Sequence, residues 1–182
     1  MGRQTAMNKI KMAGTGLSLA MVSLAALLWQ PEISAAGETN RVASARLAPG
    51  WELTDLAGKT VHSADFKGKV VILDFWATWC PPCRAEIPDF IKLQNKYSAQ
   101  GLAIVGVSVD QATLKTVKAF AEKNGINYPI VLTDKTIEDA FGGIDGLPTT
   151  FIIDRAGCIV KQHLGFTPPA TIEKEVQTLL EP

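Results

Sequence analysis

Two long apolar runs lie on either side of an amphipathic segment in the middle of the chain. Val70–Trp76 is apolar except for Asp74, and Leu102–Val109 contains only apolar or small residues. Runs of this kind are typical of strands that are buried on both faces of a sheet. Between them, Pro81–Tyr97 has apolar residues at helical spacing, and Pro88 is expected to kink that helix. The pattern therefore predicts a strand–helix–strand unit.

Further strands and helices alternate along the rest of the chain. The predicted strands are Trp51–Leu53, Thr60–His62, Pro129–Leu132, Thr149–Ile153 and Cys158–Leu164, and the predicted helices are Thr113–Lys123, Thr136–Phe141 and a last one from Pro168 or Pro169 to Leu180. The first two strands flank Ala57-Gly58 and predict an N-terminal β-hairpin. Strands that alternate with helices favour an α/β fold with a central sheet and helices on both faces.

Residues 1–36 have the pattern of an export leader. A basic start up to Lys11 precedes an uncharged stretch from Met12 to Pro31, and Ser34-Ala35-Ala36 supplies the small residues of a cleavage site. Cleavage after Ala36 would give a soluble exported protein. Retention would give a membrane anchor, because about 20 uncharged residues can cross a bilayer. A buried core helix is disfavoured, since a basic flank has no role in a core. Both signal peptide and anchor place the rest of the chain outside the cytoplasm, in the periplasm.

Composition narrows the possible domain organisation, partners and metal sites. Residues 37–47 are small and polar and predict a linker, and residues 48–181 predict one folded domain, since roughly 130 residues suit a single core. Eighteen basic and eighteen acidic residues cancel, so a nucleic-acid partner is not indicated. Three cysteines cannot form a disulfide scaffold, and two histidines leave little material for a histidine-rich metal site.

The segment with the clearest chemistry is Trp79-Cys80-Pro81-Pro82-Cys83, which follows the first buried strand and begins a helix. Cysteines at i and i+3 of a first helical turn can form a disulfide. Cys80 falls at the N-cap, where free amides and the helix dipole favour a thiolate, the species that attacks disulfides. Pro81 and Pro82 have no N–H, so only the Cys83 amide can donate to the Cys80 sulfur. We therefore expect a mildly stabilised thiolate and a reductant.

Two carboxyl groups lie close to this segment in sequence. Asp74 is in the buried strand, six residues before Cys80, and Glu86 is three residues after Cys83 on the same helix face. A buried Asp without a partner has a raised pKa and can exchange protons. Each acid could act as base for Cys83. Alternatively, Asp74 is only hydrogen-bonded and Glu86 is an ordinary solvated acid.

Two stretches together carry a family resemblance: Asp74–Pro88 (DFWATWCPPCRAEIP) and Gly146–Asp154 (GLPTTFIID). They resemble the TlpA/ResA-like (CcmG/DsbE-like) branch of the thioredoxin superfamily, over about residues 47–180. These relatives are exported or membrane-tethered thiol–disulfide oxidoreductases of bacteria. The resemblance implies a thioredoxin fold with a central mixed sheet, and an inserted strand–helix element within residues 110–146.

The resemblance also implies roles for individual residues. Cys80 would be the attacking thiol and Cys83 the resolving thiol. Asp74 matches the buried acid of thioredoxins, where relatives in this branch often have Asn, and Glu86 matches the branch's acid after the second cysteine. Pro148 would be a cis-proline packed against the disulfide, next to the Leu147 backbone that would face the substrate. The expected client-binding residues are Trp79, Pro81, Pro82, Leu147 and Pro148.

The implied reaction needs no dissociable cofactor or metal, because the electrons reside on the Cys80–Cys83 pair. Clients would be proteins with disulfides, such as apocytochrome c before haem attachment or copper-site proteins. A membrane electron carrier of the CcdA/DsbD type would reduce the protein again. We expect a monomer.

Other functions and a third cysteine remain to be considered. A copper(I) metallochaperone would use Cys80, Cys83 and His163, since soft thiolates suit Cu(I). A thiol peroxidase is another alternative, although the chain has no Thr-x-x-Cys arrangement. A lone CxxC can also be a zinc half-site or a structural disulfide.

Cys158 stands where the family usually has a polar residue, and is either an inert strand thiol or an exposed thiol prone to mixed disulfides.

Overall fold

The structure is a computed structural model that describes residues 46–111 and 113–181. The predicted leader and the beginning of the predicted linker lie outside these residues. Within the two ranges, no helix combines the length and the apolar character needed to cross a bilayer.

The observed elements follow the predicted order. The strands are β1 (Arg46–Leu47), β2 (Glu52–Thr54), β3 (Thr60–His62), β4 (Val70–Trp76), β5 (Leu102–Ser108), β6 (Ile130–Leu132), β7 (Thr149–Ile153) and β8 (Cys158–Leu164). The α-helices are α1 (Pro81–Tyr97), α2 (Leu114–Lys123), α3 (Lys135–Ala140) and α4 (Pro169–Leu180). Short 3-10 helices occupy Ser63–Phe66 and Ser98–Gln100. Helix α1 continues through Pro88.

One strand has no counterpart in the sequence analysis. Arg46 and Leu47 were expected at the end of the linker, but they form β1 and pair antiparallel with Ile159 and Cys158 of β8. A two-residue strand has too little periodicity to be recognised in a sequence, because its pairing depends on the neighbouring strand rather than on its own pattern.

The six main strands form one mixed sheet in the order β1-β8-β7-β4-β5-β6, and β2 and β3 form the separate hairpin. The β4–β5 and β5–β6 pairs are parallel, whereas β4–β7, β7–β8 and β1–β8 are antiparallel. β6 and α3 are the strand–helix element inserted between β5 and β7. The α/β class and the mixed thioredoxin-type sheet implied by the resemblance are thus confirmed.

The continuous apolar pattern of β4 is explained by burial of the strand on both faces of the sheet. All of its residues are buried, with Val70 and Ile72 in one core cluster and Leu73 and Phe75 in the other. Helices α1, α2 and α4 pack on the first cluster, and α3 and the hairpin pack on the second. A strand covered on both faces cannot alternate apolar with polar residues.

The sheet brings the two sequence motifs to one edge. β4 ends at Trp76, from which the chain continues into α1, and Phe75 pairs with Thr149 at the beginning of β7. The segment that contains Cys80 and the segment that contains Pro148 therefore lie at the same end of the central strands.

Candidate active site

Cys80 and Cys83 form a disulfide at the first turn of α1, with their Cα atoms 5.3 Å apart. Cys80 is the N-cap residue, in extended backbone conformation, and its Sγ accepts a hydrogen bond from the Cys83 amide at 3.3 Å. Pro81 and Pro82 occupy the first two helical positions. This geometry confirms the predicted position of Cys80 and the predicted amide donor. The same amide can stabilise a thiolate once the disulfide is reduced.

The Leu147–Pro148 peptide bond is cis, as the resemblance implies. The Pro148 carbonyl accepts a hydrogen bond from Gly165 N at 2.8 Å, and Thr149 Oγ1 donates to the Gly146 carbonyl at 2.7 Å. The loop before β7 is therefore held from both sides. Pro148 is buried and Leu147 is partly exposed, next to the edge that carries the disulfide.

Asp74 is buried in β4. Unlike the unpartnered buried acid considered from the sequence, it has a hydrogen-bond partner. Its Oδ1 accepts a hydrogen bond from Thr150 Oγ1 at 2.9 Å, on the neighbouring strand β7. Burial raises the pKa of Asp74 to about 8, with a further increase from the nearby Glu86 carboxylate that the Thr150 hydrogen bond partly offsets. Burial in the sheet therefore favours the protonated form of Asp74.

Glu86 is buried as well, so it is not an ordinary solvated acid. It is 3% exposed, and its Oε1 accepts a hydrogen bond from Thr167 N at 2.8 Å. Its Oε2 is buried and has no hydrogen-bond partner among the described residues. Burial raises the pKa of Glu86 to about 7, against the lowering effects of the Thr167 amide and of His163. The pKa values of both buried acids are thus raised towards the neutral range.

His163 lies on β8, in the same part of the sheet as the buried acids Asp74 and Glu86. It pairs in register with Thr150, which pairs in register with Asp74, so the three residues form one row across the sheet. His163 Nε2 lies 2.8 Å from Glu175 Oε2 on α4. Among the described residues, no group of three His, Cys, Asp or Glu side chains is arranged to hold a metal ion.

Asp110 is a further carboxylate at the end of the sheet that carries the disulfide, and it was not predicted from the sequence. Asp110, just after β5, accepts hydrogen bonds from Thr78 Oγ1 at 2.6 Å and from Thr78 N at 2.9 Å. Ser108 Oγ also donates to it at 2.8 Å. Parallel strands β4 and β5 end at the same edge, so a polar residue directly after β5 was the available signal.

Three large apolar side chains are exposed at the end of the sheet that carries the disulfide, and we call Trp79, Leu164 and Phe166 the apolar rim. They are 65%, 67% and 50% exposed. Trp79 precedes Cys80, Leu164 pairs in register with Thr149, and Phe166 precedes the residue whose amide binds Glu86. Of these three residues, only Trp79 was predicted from the sequence, because Leu164 is brought to this end of the sheet by the pairing of β8 with β7.

Of the remaining candidate residues, Pro81 and Pro82 lie at the site, whereas Cys158 does not. Pro81 is exposed and Pro82 partly exposed beside the disulfide. Cys158 is partly buried and forms no disulfide with any described residue. It begins β8 opposite Leu47, at the end of the sheet away from Leu164, so it does not join the site.

Comparison with known proteins agrees with this geometry. The profile of the AhpC/TSA family matches residues 45–162. The thiol-disulfide oxidoreductase ResA of Halalkalibacterium halodurans is 39% identical over 137 residues, which cover 74% of this chain and 76% of that protein. ResA of Bacillus subtilis is 38% identical over 136 residues, with 74% of each chain covered. The crystal structure of a thiol:disulfide interchange protein from Chlorobium tepidum has a TM-score of 0.70 and 36% identity, and covers 75% of this chain and 97% of that one.

Proposed function

Since the chain belongs to the AhpC/TSA family and is a thiol–disulfide oxidoreductase similar to the ResA proteins, we propose that it reduces disulfides in client proteins outside the cytoplasm. The observation that carries this proposal is the Cys80–Cys83 pair at the start of α1, where one amide among the described residues donates to the first sulfur. No dissociable cofactor is needed, because both electrons come from the two thiols.

The reaction proceeds by two exchanges. In the first, the Cys80 thiolate attacks one sulfur of a client disulfide, forming a mixed disulfide and releasing the other client sulfur as a thiolate, which takes up a proton. In the second, Cys83 loses its proton and attacks Cys80 Sγ, and the second client sulfur leaves. The client gains two electrons and two protons, and the Cys80–Cys83 disulfide re-forms.

The buried acids are the proposed bases for the second exchange. Glu86 lies on the same helix face as Cys83, one turn further on, and has one carboxyl oxygen without a partner among the described residues. Its pKa of about 7 lets it accept a proton in neutral solution and return it afterwards. Asp74, with its pKa of about 8, is the second proton-holding group and keeps the pair from carrying two charges at once.

The apolar rim and the Leu147–Pro148 loop are the proposed client-contact surface. Trp79, Leu164 and Phe166 offer exposed apolar surface at the end of the sheet that carries the disulfide. Leu147 offers backbone groups to an extended client segment, and Pro81 and Pro82 complete the surface. Clients with apolar residues beside their cysteines fit this chemistry best.

Two features support the proposed direction and cellular setting of the reaction. A single amide donor stabilises the Cys80 thiolate only mildly, which favours a reductant over a strong oxidant. The predicted leader supports a periplasmic location, either soluble or tethered. Apocytochrome c and copper-site proteins are the proposed clients, and a membrane carrier of the CcdA/DsbD type is the proposed donor.

The two alternative functions have less support from the geometry. His163, the third ligand of the copper(I) alternative, has its Nε2 directed at Glu175. For the peroxidase alternative, the residue three before Cys80 is Ala77, where the Thr-x-x-Cys arrangement needs a threonine. We expect the reduced protein to reduce protein disulfides at a rate far above its consumption of hydrogen peroxide.

The direct test is reduction of a disulfide-containing protein such as insulin, driven by dithiothreitol. Cys80→Ser should abolish catalysis, whereas Cys158→Ser, the matched control, should leave it unchanged. Cys83→Ala should arrest the reaction as a mixed disulfide and so capture the natural client for mass spectrometry. Full activity in Cys80→Ser would overturn the proposed function.

A further inference from the structure

The loop that carries Cys80 is held by a carboxylate from another strand. Residues Ala77–Cys80 form a turn in which Cys80 N donates to the Ala77 carbonyl at 3.2 Å. Thr78 is the second residue of that turn, and both its amide and its hydroxyl donate to Asp110. Asp110 thus contacts the turn through both carboxyl oxygens.

Asp110 is itself fixed in place. Ser108 Oγ donates to its Oδ2 at 2.8 Å, and Asp110 N donates back to Ser108 Oγ at 3.3 Å. Just before it, Val109 N donates to the Trp76 carbonyl at 2.9 Å. The ends of β4 and β5 are therefore linked by a chain of hydrogen bonds that terminates on Thr78, two residues from the attacking sulfur.

We propose that Asp110 is a positioning residue for Cys80, which holds the Ala77–Cys80 turn so that the attacking sulfur stays at the N-terminus of α1. The proposal rests on the proposed function, because it concerns the reactivity of the same sulfur. Asp110 touches neither the disulfide nor a client in this account. It acts through Thr78.

The physical reason is that a thiolate at an N-cap is stabilised over a short range. Within residues 46–111 and 113–181, Cys80 Sγ has one amide donor, Cys83 N at 3.3 Å, and Pro81 and Pro82 can supply no other. A shift of the turn by about 1 Å lengthens this contact and also misaligns the sulfur for in-line attack, and displacements of that size can cost up to about 100-fold in rate. A site with a single donor has no second contact that would compensate.

The opposite expectation comes from charge alone. A carboxylate near the sulfur disfavours a thiolate, so removing the charge without any positioning effect would speed up Cys80. Asp110→Asn distinguishes these effects, because the amide loses the charge but its oxygen can still accept from Thr78 N. Asp110→Ala removes both the charge and the acceptors.

Asp154 provides a matched control. It is partly buried, and its Oδ1 accepts hydrogen bonds from Ala156 N and Cys158 N at 2.9 and 2.8 Å, so it also holds a turn that follows a central strand. That turn lies at the other end of the sheet, since Ile153 pairs with Val71 near the beginning of β4.

The experiment measures alkylation of Cys80 by iodoacetamide in the reduced full chain, followed at the Cys80 peptide by mass spectrometry. Urea unfolding of the same proteins gives their stability. We expect Asp110→Ala to slow Cys80 about tenfold, the loss expected for one charge-assisted hydrogen bond. Asp154→Ala should lose comparable stability but keep the Cys80 rate within about twofold of the wild type. Asp110→Asn should recover most of the lost rate.

Three outcomes would overturn the proposal: Asp110→Ala reacting as fast as Asp154→Ala, Asp110→Ala reacting faster than the wild type, or Asp110→Asn reacting as slowly as Asp110→Ala. If Asp110→Ala does not fold, Thr78→Val takes its place. It removes the hydroxyl contact and keeps the amide contact, with an expected slowing of about threefold. A wild-type Cys80 no faster than a cysteine in an unstructured peptide would instead contradict the proposed function.

Discussion

One oxygen of Glu86 accepts the backbone amide of Thr167, while the other lies buried without a partner among the described residues. The two residues are 81 positions apart in sequence, and the contact connects helix α1 to the segment between β8 and α4. A carboxyl group anchored through one oxygen and unoccupied at the other has a fixed position and a free site for a proton. These features suit the proposed role of Glu86 as the base for Cys83.

The first prediction concerns resolution of the mixed disulfide. Glu86→Gln keeps the shape of the side chain and its contact with Thr167 N, but cannot take a proton, so release of the client by Cys83 should slow at least about tenfold at pH 7. Stopped-flow measurement of the decay of the mixed disulfide checks this. Glu122→Gln, an exposed substitution on α2, is the control. Equal decay rates in the two variants would remove Glu86 from the proton transfer.

The second prediction concerns stability and pH. The folded state raises the pKa of Asp74 to about 8, from an ordinary value of 3.8. Below the ordinary value the group is protonated in both states. As pH rises from about 4 to about 8 only the unfolded chain releases the proton, so stability is lost over this window. The free energy of unfolding of Asp74→Asn, relative to that of the oxidised wild type, should therefore increase by more than about 1 kcal/mol from pH 5 to pH 9.

Urea unfolding at the two pH values measures this difference. Asparagine can still accept the hydrogen bond from Thr150, so the comparison isolates the charge. If the difference in stability between Asp74→Asn and wild type is the same at pH 5 and pH 9, Asp74 does not carry the raised pKa.

The third prediction concerns His163. Its electrostatic interaction with Glu86 lowers the pKa of that carboxyl group, so His163→Gln should raise that pKa further. The basic form of Glu86 then appears only at higher pH, and client release should be slowed about threefold at pH 6 while matching wild type at pH 9. The groups that face His163 are Thr150 on β7, Glu86 on α1 and Glu175 on α4, and Lys161 and Lys174 lie close to Glu175.

A pH–rate profile of client release tests this prediction. His62→Gln is the matched control, because His62 is an exposed histidine on β3 that also lies near a glutamate, Glu52 at 3.3 Å. Profiles that coincide for wild type and His163→Gln would show that the His163–Glu175 pair is only structural.

The fourth prediction concerns the apolar rim. Phe166→Ser should raise KM for a protein client several-fold, because apolar contact area contributes about 25 cal/mol per Å². The rate with a small disulfide such as cystine should stay the same, since a small substrate does not reach the rim. Leu47→Ser is the control, as Leu47 is 70% exposed on β1. An equal effect of both substitutions on KM would show that the rim has no part in client binding.

The local chemistry of the site was predictable from sequence because it depends on neighbours in the chain. Cys80 at the N-cap and its Cys83 donor follow from two prolines and a helix start, and the buried strand β4 follows from its apolar run. The contacts between distant segments were not predictable. Burial of Glu86 under Thr167, pairing of His163 with Glu175 and the contact of Asp110 with Thr78 depend on how the sheet and helices pack.

The most direct test of the account is the equilibrium redox potential of the Cys80–Cys83 pair, measured against glutathione at pH 7. A thiolate stabilised by one amide predicts a reducing pair with a value near about −270 mV. A value near about −120 mV, typical of a strong oxidant whose thiolate is much more stabilised, would contradict the proposal that this protein reduces its clients.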